Sequence, residues 1–411
     1  MKNGWQTKKL GELCEVFDDG DWVESKDQSS DGIRLIQTGN VGEGVFKDRA
    51  EKARYISEVT FKRLRCTEIF EGDCLISRLP DPVGRSCILP DTGERMITAV
   101  DCTIVRFKRD QLLASFFNYY SQSGDYIGAV AKQCTGTTRN RISRSNLGLI
   151  PIPITPLFEQ QRIVGLLDEA FAGIATAQAN AEKNLQNVRA LFESHLQSVF
   201  TQRGKGWVKN NLKVLTTKIG SGATPRGGED SYKAEGVSLI RSLNVHDLYF
   251  KHRKLAFLDD AQADELSNVE VQPRDVLLNI TGASIARCCI VPDEVLPARV
   301  NQHVSIIRPI ADKLDADFLH YLLISKPYKD LLLKTGAEGG STRQAITKAQ
   351  IQDFSVEYPA TLKEQKTIVT KLDTLSQETQ RLASHYERKL AALAALKKSL
   401  LHQAFTGKLS G

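Results

Sequence analysis

Residues 157 to 200 read LFEQQRIVGLLDEAFAGIATAQANAEKNLQNVRALFESHLQSVF, a long segment in which apolar side chains recur every third or fourth position. This period predicts a helix that buries one apolar stripe along its whole length. As one helix, about 44 residues would run roughly 65 Å, which is too long for the core of a single domain to cover. The segment therefore predicts a coiled coil. Its predicted seam residues are Ile163, Leu167, Ala170, Ile174, Ala177 and Ala181.

A second segment with the same period spans residues 362 to 411. Its predicted seam residues are Ile368, Leu372, Leu375, Leu382, Tyr386 and Leu393. The first seam is narrow and rich in alanine, whereas the second is bulky, so the two seams favour pairing within one chain over self-pairing. Asn184 and Lys389 interrupt the seams at matching positions, where a polar residue either fixes the register or marks a local opening.

The segments in front of the two helices repeat each other. The matching pairs are Gly4-Trp5 with Gly206-Trp207, Leu35-Ile36 with Leu239-Ile240, Asn40-Val41 with Asn244-Val245, and Thr138-Arg139 with Thr342-Arg343. A period this long lies outside the solenoid range of roughly 20 to 50 residues, so it indicates a duplicated domain. In each copy, short β-type runs come before a helical stretch whose aromatic residues have the spacing of core positions.

These runs predict an α+β fold made of two duplicated α/β domains joined by the two long helices. The predicted strands lie at residues 33–36, 74–77, 87–89 and 103–107, with counterparts at 239–240, 276–278, 289–291 and 305–308. The predicted segments are a first domain at 1–156, a first spacer helix at 157–204, a second domain at 205–361 and a second spacer helix at 362–411.

Composition narrows the class of protein. Hydrophobic residues make up 41% of the chain and charged residues 25%, both ordinary for a globular protein, and no apolar run of about 18 residues indicates a membrane span. The start of the chain has no secretory signal and the cysteines form no Cys-x-x-Cys pair, so we expect a cytoplasmic location. The histidines show no metal spacing, so we expect no metal site. Basic and acidic residues nearly balance in each globular half, so nucleic acid would have to bind in local clefts.

Motifs for catalysis are missing from the sequence. The chain has no Pro-Pro pair of the kind found in the target-amine motif of DNA methyltransferases, and the glycine cluster at residues 39–44 has the spacing of a turn rather than of a cofactor loop. Gly407-Lys408 is followed by Leu409, so it is no phosphate-binding loop. Glu364-Gln365-Lys366 resembles part of a nuclease metal motif, but it begins a helix, where the helix dipole explains an acidic residue. We therefore expect no enzymatic activity from this chain alone.

A turn rich in glycine, hydroxyl groups and basic residues precedes each long helix. In the first copy no acidic residue occurs between Asp125 and Glu159, which predicts a local positive field of about +4. Hydroxyls and arginines bind phosphate, and Arg, Asn and Gln side chains contact base edges, so we interpret both turns as DNA contacts. The alternative is a solvated polar turn. The predicted DNA-binding residues are Lys132, Thr137, Thr138, Arg139, Asn140, Arg141 and Arg144 in the first copy, and Ser341, Thr342, Arg343, Gln344 and Lys348 in the second.

Several short motifs follow one another in a fixed order along the chain. They are Leu35-Ile36 before Asn40-Val41, the Gly/Ser-Thr-Arg turn, the run from Ile152 to Leu157 into Glu159-Gln160, the run Ser221-Gly222-Ala223-Thr224-Pro225, and the run from Leu400 to Gly407. In this order and duplication the chain resembles the specificity (S) subunits of type I restriction-modification systems, the HsdS family. One departure is Thr361 in place of the first copy's Pro156. The proline signal that separates the globular segment from the long helix is therefore weaker in the second copy.

The resemblance implies that residues 1–156 and 205–361 are target recognition domains, each reading one half of a split, non-palindromic DNA site. It implies that the two long helices pair antiparallel, set the gap between the half-sites and dock two methyltransferase (M) subunits, with restriction (R) subunits joining the complex. S-adenosylmethionine, ATP and magnesium would then belong to those partners, and this chain would hold no cofactor. The base sequence of either half-site depends on loop geometry that residue order does not show.

Two other functions remain open on the residues alone. One is a scaffolding coiled coil with two ligand-binding heads, which predicts no salt-sensitive affinity for DNA. The other is a nuclease or methylase that acts alone, against which the missing cofactor and metal motifs argue.

Overall fold

The computed structural model describes residues 4–136, 140–337 and 345–409. In chain order the strands are β1 (Gln6–Lys9), β2 (Cys14–Asp19), β3 (Ile33–Ile36), β4 (Tyr55–Ile56), β5 (Glu68–Ile69), β6 (Cys74–Ser77), β7 (Ser86–Ile88), β8 (Met96–Thr98), β9 (Cys102–Phe107), β10 (Pro151–Ile154), β11 (Trp207–Asn211), β12 (Thr216–Ser221), β13 (Val237–Ile240), β14 (Val245–His246), β15 (Tyr249–Phe250), β16 (Ala256–Leu258), β17 (Glu270–Val271), β18 (Val276–Asn279), β19 (Cys288–Ile290), β20 (Ala298–Val300), β21 (Val304–Pro309) and β22 (Ser355–Pro359). The α-helices are α1 (Glu58–Leu64), α2 (Ala114–Tyr120), α3 (Gly124–Gln133), α4 (Arg144–Gly148), α5 (Leu157–Thr201), α6 (Leu212–Leu215), α7 (Asp260–Glu265), α8 (Ala316–Ile324), α9 (Lys326–Ala337), α10 (Lys348–Asp353) and α11 (Leu362–Phe405). Within the described ranges, no helix combines the length and the apolar character that crossing a membrane requires.

The chain forms two compact units. The first unit consists of Met1–Glu182 together with Glu387–Gly411, and the second consists of Lys183–Tyr386. Each unit contains one copy of the repeat and a part of both long helices. The ends of α5 and α11 therefore mark where the secondary structure changes, whereas the limits of the compact units fall inside these helices.

The two copies of the repeat have the same sheet topology. In the first unit the strand orders are β2-β9-β6-β7, β4-β3-β8-β5 and β1-β10, and in the second unit they are β12-β21-β18-β19, β16-β13-β20-β17 and β11-β22. Strand β3 runs parallel to β8, and β13 runs parallel to β20. The strands predicted from the sequence lie within β3, β6, β7 and β9 and their counterparts β13, β18, β19 and β21, apart from shifts of one residue at β7 and β19. The predicted duplication is thus confirmed.

Strand β6 is apolar from Cys74 to Ile76 because both of its faces are buried. Cys74 and Ile76 belong to the core that packs against the helices, whereas Leu75 belongs to the core beneath β3 and β8. In the second unit Val276, Leu278 and Leu277 divide in the same way. Because successive side chains of a strand point to opposite faces, a strand between two cores shows no polar alternation.

Each long helix ends in the core of the unit in which it did not begin. Helix α5 begins in the first unit and ends with Phe200, whose ring centroid lies 5.5 Å from that of Phe318 in the second unit's core. Helix α11 begins in the second unit and ends with Phe405, 5.1 Å from Phe116 in the first unit's core. Since the first turns of α5 and the last turns of α11 share that core, the two helices run antiparallel there. The predicted fold class is confirmed.

The buried stripe of α5 follows the predicted seam only in part. Ile163, Leu167, Ile174 and Ala181 are buried, and Ala170 and Ala177 are partly buried. Farther along, Phe192, Leu196 and Phe200 are buried, whereas no residue from 182 to 191 is buried and Asn184 is exposed.

The buried stripe of α11 departs further from the prediction. Leu372 is buried and Ile368, Leu375, Tyr386 and Leu393 are partly buried, but Leu382 is 37% exposed and Lys389 is also exposed. Ser376 and Thr379 are buried instead. In a helix with 3.6 residues per turn, positions seven residues apart rotate slowly around the helix axis. The buried stripe therefore includes these small polar residues in place of Leu382. Leu382 of the predicted second seam is therefore less buried than Ser376 and Thr379.

A buried glutamine joins the start of each long helix to its globular part. The side-chain oxygen of Gln160 accepts a hydrogen bond from Leu113 N at 2.9 Å, and its amide donates to the carbonyls of Gln111 and Thr155 at 2.8 and 2.7 Å. Gln365 occupies the same place in the second unit. The helix dipole explains the acidic residue Glu364, but no sequence pattern indicates this role of the neighbouring amide.

The aromatic residues of α2 and α8 belong to the core, as their spacing predicts. Phe116, Tyr120, Phe318 and Tyr321 are buried. The Tyr321 hydroxyl donates a hydrogen bond to the Asp373 carboxylate at 2.6 Å, and Tyr119 bonds to Asp168 in the same way. These bonds tie each globular part to a long helix of its own unit.

Candidate nucleic-acid interface

The described residues on either side of the predicted DNA-binding loop of the first unit pair with each other, and we call this pair the neck of the loop. Thr135 N donates to Arg141 O at 2.9 Å, and Arg141 N donates to Thr135 O at 3.0 Å. Thr137, Thr138 and Arg139 lie outside the described residues. Asn140 is exposed at the neck, and Ser143 caps α4 by accepting a hydrogen bond from Asn146 N at 3.1 Å. The local sequence thus builds a loop between a paired neck and a capped helix.

The two described arginines of this loop are held by acidic residues from other parts of the chain. Arg141 forms an ion pair with Asp101 at 2.9 Å, and Arg144 forms one with Asp18 at 2.7 Å. Arg144 also donates to the carbonyl of Phe17 at 2.8 Å. The positive field at this turn is therefore weaker than the sequence alone indicates, because β2 and the residues before β9 bring carboxylates to it.

Lys132 stands apart from these ion pairs. It is exposed near the end of α3, and no residue in the described part of the chain forms an ion pair with it. The structure thus brings Asn140, Arg141 and Arg144 together at the neck and places Lys132 on the helix that leads into the loop.

The loop of the second unit is supported in the same way. Ser341, Thr342, Arg343 and Gln344 lie outside the described residues. The neck is formed by Ala345 N, which donates to Gly336 O at 3.3 Å, and Thr347 caps α10 by accepting a hydrogen bond from Gln350 N at 3.2 Å. Lys348 is the first residue of α10 and is exposed.

A hairpin that follows the Asn-Val motif lies close to the same supports. In the first unit Val41 pairs with Phe46 around a turn that needs a positive φ of 81° at Gly44, so the glycine cluster is a turn as predicted. The side-chain amide of Asn40 donates to the carbonyls of Lys47 and Asp48, both at 2.9 Å. This buried asparagine thereby clamps the returning arm of the hairpin.

The second unit repeats this clamp. The Asn244 amide donates to Lys251 O at 2.8 Å, and its side-chain oxygen accepts from Arg241 N at 3.0 Å. Strands β14 and β15 form the hairpin, in which Val245 pairs with Phe250. The Asn-Val motif marks the repeat in the sequence, and its function as a clamp becomes visible only in the structure.

Residues 78 to 85 of the first unit hold both the hairpin and the loop. The buried guanidinium of Arg85 donates to the carbonyls of Val41 and Thr38, both at 2.7 Å, and to those of Leu79 and Pro82. Burial lowers the pKa of Arg85, a cost that these carbonyls offset. Arg78 O accepts from Ile142 N at 3.3 Å, just beyond the neck of the loop. The hairpin and the residue that follows the neck of the loop are therefore held by one common segment.

The second unit builds the same support with different side chains. Asn279 donates from its amide to Ser242 O at 2.9 Å, and the adjacent residue Ile280 accepts from Ile346 N at 2.8 Å. Asn279 thus replaces Arg85 as the residue that holds the hairpin. Asn279 lies at the end of β18, the counterpart of Ser77 at the end of β6, so the two hairpins are held from different positions of matching segments, and the residues of the loops also differ.

Comparisons with known proteins agree with this architecture. The sequence model of the type I restriction modification DNA specificity domain matches residues 2–186 and 262–390. The specificity subunit of the type I restriction enzyme EcoKI from Escherichia coli (strain K12) is 22% identical to this chain over 329 residues, which are 75% of this chain and 68% of that protein.

Two solved structures share the fold. A chain from a structural study of complex assembly and conformational transition in the type I R-M system aligns with a TM-score of 0.79 and 20% identity, over 100% of this chain and 99% of that one. The HsdS subunit from Thermoanaerobacter tengcongensis aligns with a TM-score of 0.62 and 19% identity, over 100% of this chain and 98% of that one. Because the family match covers more than half of the sequence, this chain belongs to the type I restriction modification DNA specificity family.

Proposed function

We propose that this chain is the DNA sequence-specificity subunit of a type I restriction-modification complex and that it reads a bipartite, non-palindromic target. The observation that carries the proposal is the duplicated support with divergent loops. Arg85 and Asn279 hold equivalent hairpins, and Ile142 and Ile346 anchor equivalent loops. Two units of one topology with different loop residues suit two half-sites of different sequence.

The long helices are proposed to set the gap between the half-sites and to dock two methyltransferase subunits, which restriction subunits then join. Apolar side chains that remain exposed on these helices support docking of a protein partner. They are Phe158, Leu166, Leu191, Leu382 and Leu396. The buried side chains of Gln160 and Gln365 form hydrogen bonds that fix the first turn of each long helix to its globular part. These bonds support a spacer whose direction relative to that part is fixed.

The chain is proposed to be non-catalytic and to contribute specificity alone. S-adenosylmethionine, ATP and magnesium are assigned to the methyltransferase and restriction subunits, because the sequence carries no motif for holding them.

The proposal is tested by incubating the chain with its methyltransferase subunit and a pool of randomised duplexes, and then sequencing the bound DNA. We expect two short motifs separated by a fixed gap. If the assembled complex enriches no motif and its affinity does not depend on salt, the chain is instead a scaffold with two ligand-binding heads.

A further inference from the structure

Each of the two hairpins carries exposed cations without acidic partners. We call residues 41–54 the first cationic hairpin and residues 245–254 the second. The exposed cations are Lys47, Arg49, Lys52 and Arg54 in the first, and Lys251, Arg253 and Lys254 in the second. No residue in the described ranges forms an ion pair with any of these side chains, in contrast to Arg141 and Arg144 at the neck of the first loop.

One acidic residue within each hairpin has a cationic partner outside the hairpin. Asp48 bonds to the buried guanidinium of Arg34, and Asp247 forms an ion pair with Lys329 and accepts a hydrogen bond from Cys288 N at 3.1 Å. Glu43 and Glu51 are exposed on the first cationic hairpin, but the cations still outnumber them. Both hairpins therefore present a positive surface to solvent.

Two cations of the first hairpin have counterparts at equivalent positions in the second. Lys47 N donates to Asn40 O at 2.8 Å, and Lys251 N donates to Asn244 O at 2.7 Å, so the same clamp precedes both lysines. Arg49 and Arg253 each follow two residues later. Because these side chains are exposed, core packing does not explain why both copies carry them. A ligand common to both units does.

In each unit one short segment holds both the cationic hairpin and the described residues that flank the predicted DNA-binding loop. Arg85 ties the first cationic hairpin to residues 78–82, and Arg78 anchors the loop through Ile142. In the second unit the adjacent residues Asn279 and Ile280 perform these two tasks. A duplex that meets the loop therefore passes close to the hairpin.

We propose that Lys47 and Arg49 in the first unit, and Lys251 and Arg253 in the second, bind the phosphate backbone of the DNA beside each half-site. This inference rests on the proposed function. Lysine and arginine neutralise phosphates without reading bases, so the hairpins supply affinity and orientation while the loops supply sequence preference. The contacts are the same in both units because the phosphate backbone is the same at both half-sites.

The test uses the whole chain assembled with its methyltransferase subunits and the duplex selected by the wild-type complex. K47Q/R49Q and K251Q/R253Q each remove two positive charges from exposed positions. We expect each double variant to lower the slope of log affinity against log salt by about 1.8, since each phosphate contact contributes about 0.9. We also expect the selected base sequence to stay the same.

Charge-matched controls are K26Q/K62Q in the first unit and K233Q/K326Q in the second. These lysines are exposed but form ion pairs with Glu24, Glu58, Asp259 and Asp330. We expect their salt slopes to equal that of the wild type. Wild-type slopes in both hairpin variants would overturn the inference while leaving the proposed function intact. A wild-type complex that binds no DNA would overturn the proposed function and this inference with it.

Discussion

The side-chain oxygen of Gln365 accepts a hydrogen bond from the backbone N–H of Asp315 at 2.8 Å. Its amide also donates to the carbonyls of Lys313 and Pro359, at 3.1 and 2.9 Å. One fully buried side chain thus fixes the first turn of α11 to the end of β22 and to the segment that leads into α8. Because Gln160 makes the matching bonds, both spacer helices leave their globular parts in a fixed direction.

Gln365→Leu leaves the backbone groups of Asp315, Lys313 and Pro359 without their partner. We expect a loss of about 3 kcal/mol in the free energy of unfolding, since a buried polar group left unpaired costs about 1 to 3 kcal/mol. Chemical denaturation of the whole chain measures this loss. The control is Gln377→Leu on the exposed face of the same helix, which should change stability by less than about 0.5 kcal/mol. Equal losses in both variants would contradict the assigned role.

Phe405→Ala removes a ring that is 6% exposed and that packs against Phe116 and Tyr120. We expect the first unit to lose about 3 to 5 kcal/mol, the usual cost of truncating a buried phenylalanine. Hydrogen exchange that resolves the two units measures the loss and should leave the second unit unchanged. Leu396→Ala is the control, because this leucine of α11 is 46% exposed. A first unit as stable as the wild type would show that the ring is dispensable.

Arg343→Ala tests the recognition loop of the second unit. Under the proposed function we expect a loss of about 1 to 3 kcal/mol in DNA binding and a relaxed preference in one half-site, because an arginine that contacts a base edge discriminates between bases. Arg139→Ala should relax the other half-site. Sequencing of duplexes selected by each assembled variant measures both effects. Unchanged affinity and unchanged motifs in both variants would argue against these loops as the readers.

A seven-residue insertion after Glu182 and another after Tyr386 lengthen both spacer helices by about 10.5 Å while nearly preserving the phase of the buried stripe. Under the proposed function we expect the tolerated gap to grow by about three base pairs, since each step rises about 3.4 Å. Binding to duplexes with graded gaps measures the change. Inserting into α5 alone is the control and should destabilise the chain. If the double insertion leaves the tolerated gap unchanged, the helices do not set the spacing between the half-sites.

Burial lowers the pKa of His320, and the carboxylates of Asp317, Asp247 and Asp373 only partly oppose this shift. The unfolded chain, in which a histidine has a pKa of about 6.5, therefore binds a proton that the folded chain excludes. We expect stability to fall as pH drops through that value, by at most about 1.4 kcal/mol per pH unit. His320→Gln keeps a donor for Cys288 O and removes the titration. Denaturation at several pH values should show the smaller slope in the variant, and equal slopes would contradict the prediction.

The long helices and the duplication could be predicted because their signals extend over many residues. A period of 3.6 sustained from Leu157 to Phe200 outweighs any single exception, and the repeated Asn-Val motif fixes the correspondence of the two copies. The strands were found for the same reason, since each apolar run is bounded by turn residues.

The electrostatics of the candidate site could not be predicted in this way. Arg141 and Arg144 form ion pairs with Asp101 and Asp18, which lie far away in the sequence and reach the loop only through the sheet. The stripe at Ser376 also escaped the prediction, because a small polar residue carries no hydrophobic signal. Local sequence patterns predict helices and strands. Whether a charged side chain forms an ion pair depends on residues that are distant in the sequence and close in the fold.

The position of Phe405 sets an order of events during synthesis. The second unit is continuous in sequence, from Lys183 to Tyr386, whereas the first unit needs Glu387 and the residues after it to cover Phe116 and Tyr120. A ribosome that adds about 5 to 20 residues per second takes roughly 10 to 40 s to make the intervening 200 or so residues. During this time the aromatic core of the first unit thus stays uncovered at Phe116 and Tyr120, and the second unit completes its fold first.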